Sequence, residues 1–167
     1  MSTGDNGGTR SARPTGLRDI KGTTFEGGLR VPCLARWPGV LPEGKESDQV
    51  GVTMDLTASL ARIGGVVPAT GRPLDGIDIL ERLEKGRPVV ERTLFWRGRR
   101  GERTWRAVRD GAWKYVSRSD GTRREEFLFD LHRDRGEQTN LLADHPTDAA
   151  RLRAALIAWE PEVQPNR

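Results

Sequence analysis

The hydrophobic and polar positions of the chain change period near Thr93. Before that point apolar residues come in short, separated groups. Residues 1–19 are glycine-rich and polar without periodicity, which predicts loop. Residues 29–37, LRVPCLARW, read as a mostly apolar strand with Pro32 at its entrance or on an edge. A turn-rich loop, WPGVLPEGKESD, follows, and QVGVT (49–53) has the composition of a short strand. In MDLTASLARI, Leu56, Leu60 and Ile63 recur at i, i+4 and i+7, one face of a helix, with Thr53 as its cap and Gly64-Gly65 as its stop. After a loop over 66–76, IDILERLEK (77–85) has the pattern of a short amphipathic helix.

From Thr93 the period becomes two. TLFWRG, TWRAVRDG, AWKYVSRSDG and EFLFDL are rich in aromatic and β-branched residues, and Asp110-Gly111 and Asp120-Gly121 between them are hairpin signals. The pattern predicts a four-stranded antiparallel meander. Trp105, Ala107 and Arg109 would share one face, with Arg106 and Val108 on the other, and the sheet would have one covered face and one wet, arginine-rich face. After a polar connection (130–146), Leu152, Leu156 and Trp159 mark a helix over Thr147 to Trp159, ending at Glu160-Pro161. That helix would cover the sheet.

Composition narrows the chemistry. With 167 residues, 35% hydrophobic and 31% charged, the chain holds one domain with a core, or a domain plus an appendage. No window approaches the roughly 18 apolar residues of a membrane span, and MSTGDNGGTR has no signal-peptide apolar region. One cysteine, Cys33, excludes an internal disulfide and a multi-cysteine metal site. Charge is uneven: residues 87–124 hold twelve Lys/Arg against four Asp/Glu, about +8, while the chain as a whole is +4. Such a segment is either a set of solvated strand arginines or a surface for a polyanion or a partner protein. No nucleic-acid-binding motif accompanies it, so nucleic acid is not expected as a partner.

The order of motifs carries more. DNGG, then KGTTFEGGLRVP, ARWPG, a helix led by MDL, RPLDGIDIL, a strand set, LFDL…GEQTNL and a last helix together resemble the C-terminal part of a sulfatase, in the alkaline phosphatase-like superfamily. KGTTFEGGLRVP is the most specific piece. The resemblance implies an α/β fold whose C-terminal subdomain is a four-stranded antiparallel sheet with a packed helix. Residues 1–86 would be the last portion of the large domain, 87–160 that subdomain and 161–167 a tail.

The resemblance also implies roles. Asp5 and Asn6 match the family's Asp-Asn pair on a divalent cation, Ca²⁺ or Mg²⁺; a carboxylate and an amide carbonyl are hard oxygen donors suited to it, but only two of the roughly six to eight that Ca²⁺ takes. Lys21 matches the lysine on the substrate sulfate, a compact ammonium with three donors. Gly22, Gly27 and Gly28 would let the backbone pass close by, Thr23, Thr24 and Glu26 would brace the loop, and Arg30 would pair with an interior carboxylate. The family nucleophile is a Cys or Ser in Cys/Ser-x-Pro-x-Arg, converted to formylglycine. Cys33 lacks that context and reads as a small buried hydrophobe. His132 and His145 read as surface residues. The chain is thus expected to carry part of a metal-dependent sulfuric ester hydrolase site and to be inactive alone, acting on sulfate esters only when completed by an N-terminal half. The alternative is a non-catalytic polyanion- or protein-binding module using sheet 87–124. Complete members of the family it resembles are typically periplasmic, secreted or lysosomal, which assigns no location to this chain.

Overall fold

The protein is described here from a computed structural model, which covers residues 2–4, 7–9, 16–71 and 73–163. Asp5 and Asn6 lie outside the described residues. Elements run in the order β1 (Ser2–Thr3), α1 (Glu26–Leu29), β2 (Cys33–Leu34), α2 (Thr53–Ile63), α3 (Ile79–Glu84), β3 (Leu94–Arg100), β4 (Arg103–Asp110), β5 (Trp113–Asp120), β6 (Arg123–Asp130) and α4 (Pro146–Val163). The chain divides into two compact units. One holds β1 and Cys33–Val90; the other holds the described residues of 6–32 together with Glu91–Arg167.

In the first unit, β1 and β2 pair antiparallel over two rungs. The expected apolar strand over 29–37 shrinks to Cys33 and Leu34, and both are exposed. Cys33 is therefore not the core residue its neighbours imply. QVGVT forms no strand; Gln49 instead exchanges side-chain hydrogen bonds with the backbone of Val90, donating at 3.2 Å and accepting at 2.8 Å. α2 begins at Thr53 itself. Its N-cap is Val52, whose N–H donates to the Asp55 carboxylate in the first turn at 2.7 Å; that carboxylate also accepts from Ile77 N at 2.9 Å. Ser59 Oγ accepts from Leu80 N, and Gly76 packs so tightly on Met54 O that a Cβ would sit 2.1 Å from it. The covered face of α2 is thus Asp55, Ala58 and Ser59, while Leu60 and Ile63 of the apolar periodicity face solvent, with Val66 and Val67 exposed beyond them.

The second unit contains the expected meander, in order β3-β4-β5-β6. The loops are Gly101-Glu102, Gly111-Ala112 and Gly121-Thr122, each with its glycine first and at positive φ (60°, 57° and 65°), which suits type II′ turns. The aspartates of the two Asp-Gly pairs end strands instead of entering the loops. Val108, Tyr115 and Leu128 pack under Ala149, Leu152 and Leu156 of α4, and Phe95 stacks on Trp159 at 5.0 Å and 8°. α4 runs on through Pro161 to Val163, beyond the stop expected at Glu160.

The second face of the sheet is not wet. Phe25, 1% exposed, packs onto Ala107, Val116, Phe129 and Leu131, with Trp96 and Phe127 beside them. Burying one such phenylalanine is worth about 1.5–3 kcal/mol. The segment before α1 thereby covers the face that alternation alone leaves open.

Candidate substrate-anion site

Lys21 sits on the loop that leads into α1, and glycines determine its path. Gly27 N donates to Arg18 O at 2.8 Å, and Gly28 lies against Thr23. A Cβ on Gly27 would sit 2.2 Å from Asp19 O, and one on Gly28 2.4 Å from Thr23 O, so no side chain fits at either position. Gly22 adopts φ +97°, open to glycine without strain. The glycine density of the segment is thus a close-packing requirement at two positions and a conformational one at a third.

The DNGG segment lies against the same loop. Gly7 N donates to Gly28 O at 3.0 Å, and Lys21 N donates to Gly8 O at 2.9 Å. A Cβ on Gly7 would come within 2.1 Å of Gly27 O. The structure therefore brings Gly7 and Gly8, which directly follow Asp5 and Asn6, to Lys21; the two expected metal-ligand residues themselves fall outside the described set. Among the described residues no cluster of three or more His, Cys, Asp or Glu is arranged to hold a metal ion.

Lys21 is exposed and lines an open cleft of about 620 Å³ with Asp19, Thr23, Arg100, Glu102, Arg103, Trp105 and Asp120. The volume lies within the ~300–1,000 Å³ range of small-molecule sites. Asp19 Oδ1 accepts from Ile20 N at 2.9 Å, with Asp19 at φ 64°. The loop is held to the sheet beneath. Arg18 lies over the rings of Phe25 and Phe127 at 4.6 and 4.7 Å, and its Nη1 donates to Glu137 O at 2.9 Å.

Under α1 is a set of buried charges that the sequence reading did not find. Lys114 Nζ, fully buried, is 2.7 Å from Glu26 Oε1 and 2.9 Å from Glu137 Oε1. Glu137 Oε2 also accepts from Glu26 N at 2.6 Å. Burial raises the Glu26 carboxyl, but Lys114, Arg109 and Arg30 more than offset this and hold it below its ordinary value. Burial dominates at Glu137, where Lys114 offsets it only in part, and its carboxyl is pushed up. Glu26 thus braces the loop as expected. Arg30 pairs with Glu26 Oε2 at 3.3 Å from the exposed side. The signal for the cluster was parity: Lys114 lies on the same face of β5 as Val116, facing Arg109 and Phe129 across the ladders.

The histidines behave as expected. His132 is exposed, and His145 packs its ring 4.8 Å from Trp113 at the protein surface.

No protein-family model matches the chain. It is 43% identical over 76 residues to N-acetylgalactosamine-6-sulfatase of Sus scrofa, covering 46% of this chain and 14% of that protein. It is 33% identical over 147 residues to arylsulfatase A of Homo sapiens, covering 75% and 29%. The crystal structure of Ps i-CgsB superposes with a TM-score of 0.81 at 25% identity, over 94% of this chain and 35% of that one. The chain thus spans less than a third of the length of these two curated relatives. Its structural neighbours are sulfatases of the alkaline phosphatase-like fold.

Proposed function

We propose, for a chain that belongs with the sulfatases in sequence and fold, that it supplies the sulfate-binding wall of a sulfuric ester hydrolase site, with Lys21 as the residue that holds a sulfate oxygen. One observation carries this reading: the backbone N–H of Lys21 is taken by Gly8 O, so only its ammonium is offered to the cleft, beside the segment that follows Asp5 and Asn6.

Each group has a physical task. The ammonium neutralises charge on a non-bridging sulfate oxygen and holds the ester in place for attack at sulfur. The close-packed glycines and the Glu26–Lys114 pair fix the loop that presents it. Asp5 and Asn6 would hold a hard divalent cation, Ca²⁺ or Mg²⁺, which would supply Lewis-acid polarisation of the sulfate. Their donor chemistry fits such an ion, and the other ligands would come from outside this chain. In this reading residues 1–86 close the large α/β domain and 87–160 form the C-terminal subdomain, with the Lys21 loop folded onto that subdomain's sheet.

The sequence contains no Cys/Ser-x-Pro-x-Arg, so the nucleophile must come from a partner portion and the chain alone does not turn over sulfate esters. The exposed Leu60, Ile63, Val66 and Val67 suit this: they are an apolar surface for the remainder of the large domain to cover. The other reading, a polyanion-binding sheet, has less behind it. Arg97 and Arg106 share Glu160, Arg118 pairs with Glu125 and Arg124 with Glu126, so these four of the segment's twelve basic residues are already engaged within the fold.

The test is co-expression with a sulfatase N-terminal portion bearing Cys-x-Pro-x-Arg. Hydrolysis of an aryl sulfate by the pair, lost in Lys21→Ala, is the expected result. Turnover by the chain alone, or complemented activity indifferent to Lys21→Ala, overturns the reading.

A further inference from the structure

Two pairs of arginines face each other across the β3–β4 ladder. Arg97 opposes Arg106, and three rungs on, Arg100 opposes Arg103. Like charges placed directly opposite each other destabilise a strand pair. The first pair has its remedy in the fold: Glu160 Oε1 lies 3.3 Å from Arg97 Nε and 2.5 Å from Arg106 Nε. The second pair closes no such ion pair: among the described residues no carboxylate lies within 4.0 Å of either guanidinium, and the nearest cross-strand counter-charge is Asp120, opposite Arg103.

Alternation decides where the second pair points. Arg97 and Arg106 face α4, and an odd number of rungs places Arg100 and Arg103 on the opposite face, with Trp96, Trp105 and Ala107. That is the face the Lys21 loop lies on, and both arginines line the same cleft as Lys21. They flank the two-residue Gly101-Glu102 loop, so their Cα atoms are held as a rigid pair. Of the three carboxylates in the cleft, Asp19 accepts from Ile20 N, Glu102 leans toward Gly121, 3.7 Å from where its Cβ would stand, and Asp120 stands opposite Arg103 across the β4–β5 ladder without closing to an ion pair.

We propose that Arg100 and Arg103 form a second anion subsite, which takes an oxyanionic group, sulfate or carboxylate, on the same substrate whose scissile sulfate is held by Lys21. The external anion plays the part that Glu160 plays for the neighbouring pair. The proposal rests on the reading of Lys21 and sharpens it: the preferred substrate carries two anionic groups, spaced to span the cleft. Glu102 and Asp120 at the rim accept hydrogen bonds from hydroxyls of a saccharide between those groups.

The test uses the full chain at low ionic strength, followed by amide NMR. It is titrated with a monosulfated disaccharide and with the same disaccharide bearing a second sulfate. The second sulfate should tighten binding about five- to tenfold. Arg100→Gln/Arg103→Gln should remove that increment and leave the monosulfated affinity in place. Arg99→Gln/Arg133→Gln, the same loss of two charges at exposed arginines that do not line the cleft, should leave both. Lys21→Gln should weaken both ligands. The arginines are exposed, and relieving their repulsion should leave the thermal midpoint unchanged or higher, so a folding defect is visible separately. Equal affinity for the two ligands, an increment that survives the double variant, or no binding of the disulfated ligand overturns the subsite. An increment that depends on Arg100 and Arg103 while Lys21→Gln changes nothing keeps the subsite and sinks the role given to Lys21.

Discussion

The ammonium of Lys114 lies 2.7 Å from Oε1 of Glu26, 88 residues away along the chain, in an interior from which both side chains are all but excluded from water. This pair ties the Lys21 loop to the centre of the sheet. A buried ion pair adds little net stability, because desolvation consumes much of its Coulomb gain, but breaking one is costly. The pair therefore acts as a specific attachment: the loop docks with Glu26 under Lys114 or leaves a charge stranded.

Lys114→Met tests that. It leaves the carboxylates of Glu26 and Glu137 buried without their shared cation. Unfolding free energy from urea titration should fall by about 3–5 kcal/mol with the denaturant slope unchanged. A loss under about 1 kcal/mol would mean that water already reaches these carboxylates.

Glu137→Gln should behave differently, and pH exposes why. The Glu137 carboxyl is raised above its ordinary 4.5, chiefly by burial. Between the unfolded and folded values the folded chain binds more protons than the unfolded chain, so stability from this group is fully present below about pH 4.5 and is lost as pH rises through the folded value. Glu26 works in the opposite sense: its carboxyl is lowered, so its contribution is present above about 4.5 and lost as pH falls through the folded value. Glu137→Gln removes the first dependence and leaves a one-to-one Lys114–Glu26 pair. Urea midpoints from pH 4.5 up to about 7 should decline less with pH in the variant than in the parent; parallel profiles would contradict the assignment.

The meander was legible because its strands alternate cleanly and each loop needs a glycine at positive φ, a requirement written into Gly111 and Gly121. α4 was legible from Leu152, Leu156 and Trp159, though its continuation through Pro161 was not, since Pro inside a helix normally ends it. The covered second face was illegible for a physical reason. Its cover is Phe25, about eighty to a hundred residues before the strands it packs on, in a segment whose glycines read as loop. Lys114 was lost among arginines: within a basic run a lysine reads as solvated, and only its parity with Val116 marks it as interior. The α2 periodicity misled in the other direction. Leu60 and Ile63 follow the helical repeat of a buried face, yet the fold buries Asp55, Ala58 and Ser59, of which Asp55 and Ser59 accept from the turn before α3 and from α3. The Lys21 loop was legible from its ordered motifs, and the structure adds what they cannot carry: the cleft it shares with Arg100 and Arg103.

Cys33 gives a direct check on the first unit. It is exposed on β2, and its thiol should react with a thiol-specific reagent in the native chain at a rate close to that in denaturant. Protection by more than about a hundredfold, corresponding to roughly 2.7 kcal/mol of required opening, would place it in a core instead.

Gly27→Ala tests whether the close packing of the loop matters to Lys21 itself. Its Cβ would stand 2.2 Å from Asp19 O and 2.5 Å from Arg18 O, both backbone atoms that cannot rotate away. The Arg18–Lys21 stretch must move as a body, breaking the Gly27 N to Arg18 O bond and loosening the Lys21 N to Gly8 O bond. The cost should be about 1–3 kcal/mol or more, with amide shifts confined to residues 18–28 and 7–9. Gly22→Ala is the contrast. Nothing lies within 4 Å of its Cβ position, so its penalty comes only from φ +97° and leaves the docking of Gly7 and Gly8 intact. If Lys21 serves through its position, sulfate-induced shifts at the Lys21 amide should weaken far more in Gly27→Ala than stability loss alone explains, and Gly22→Ala should weaken them less. Equal weakening in the two variants would reduce the Gly7–Gly27 contact to a packing detail with no bearing on the cleft.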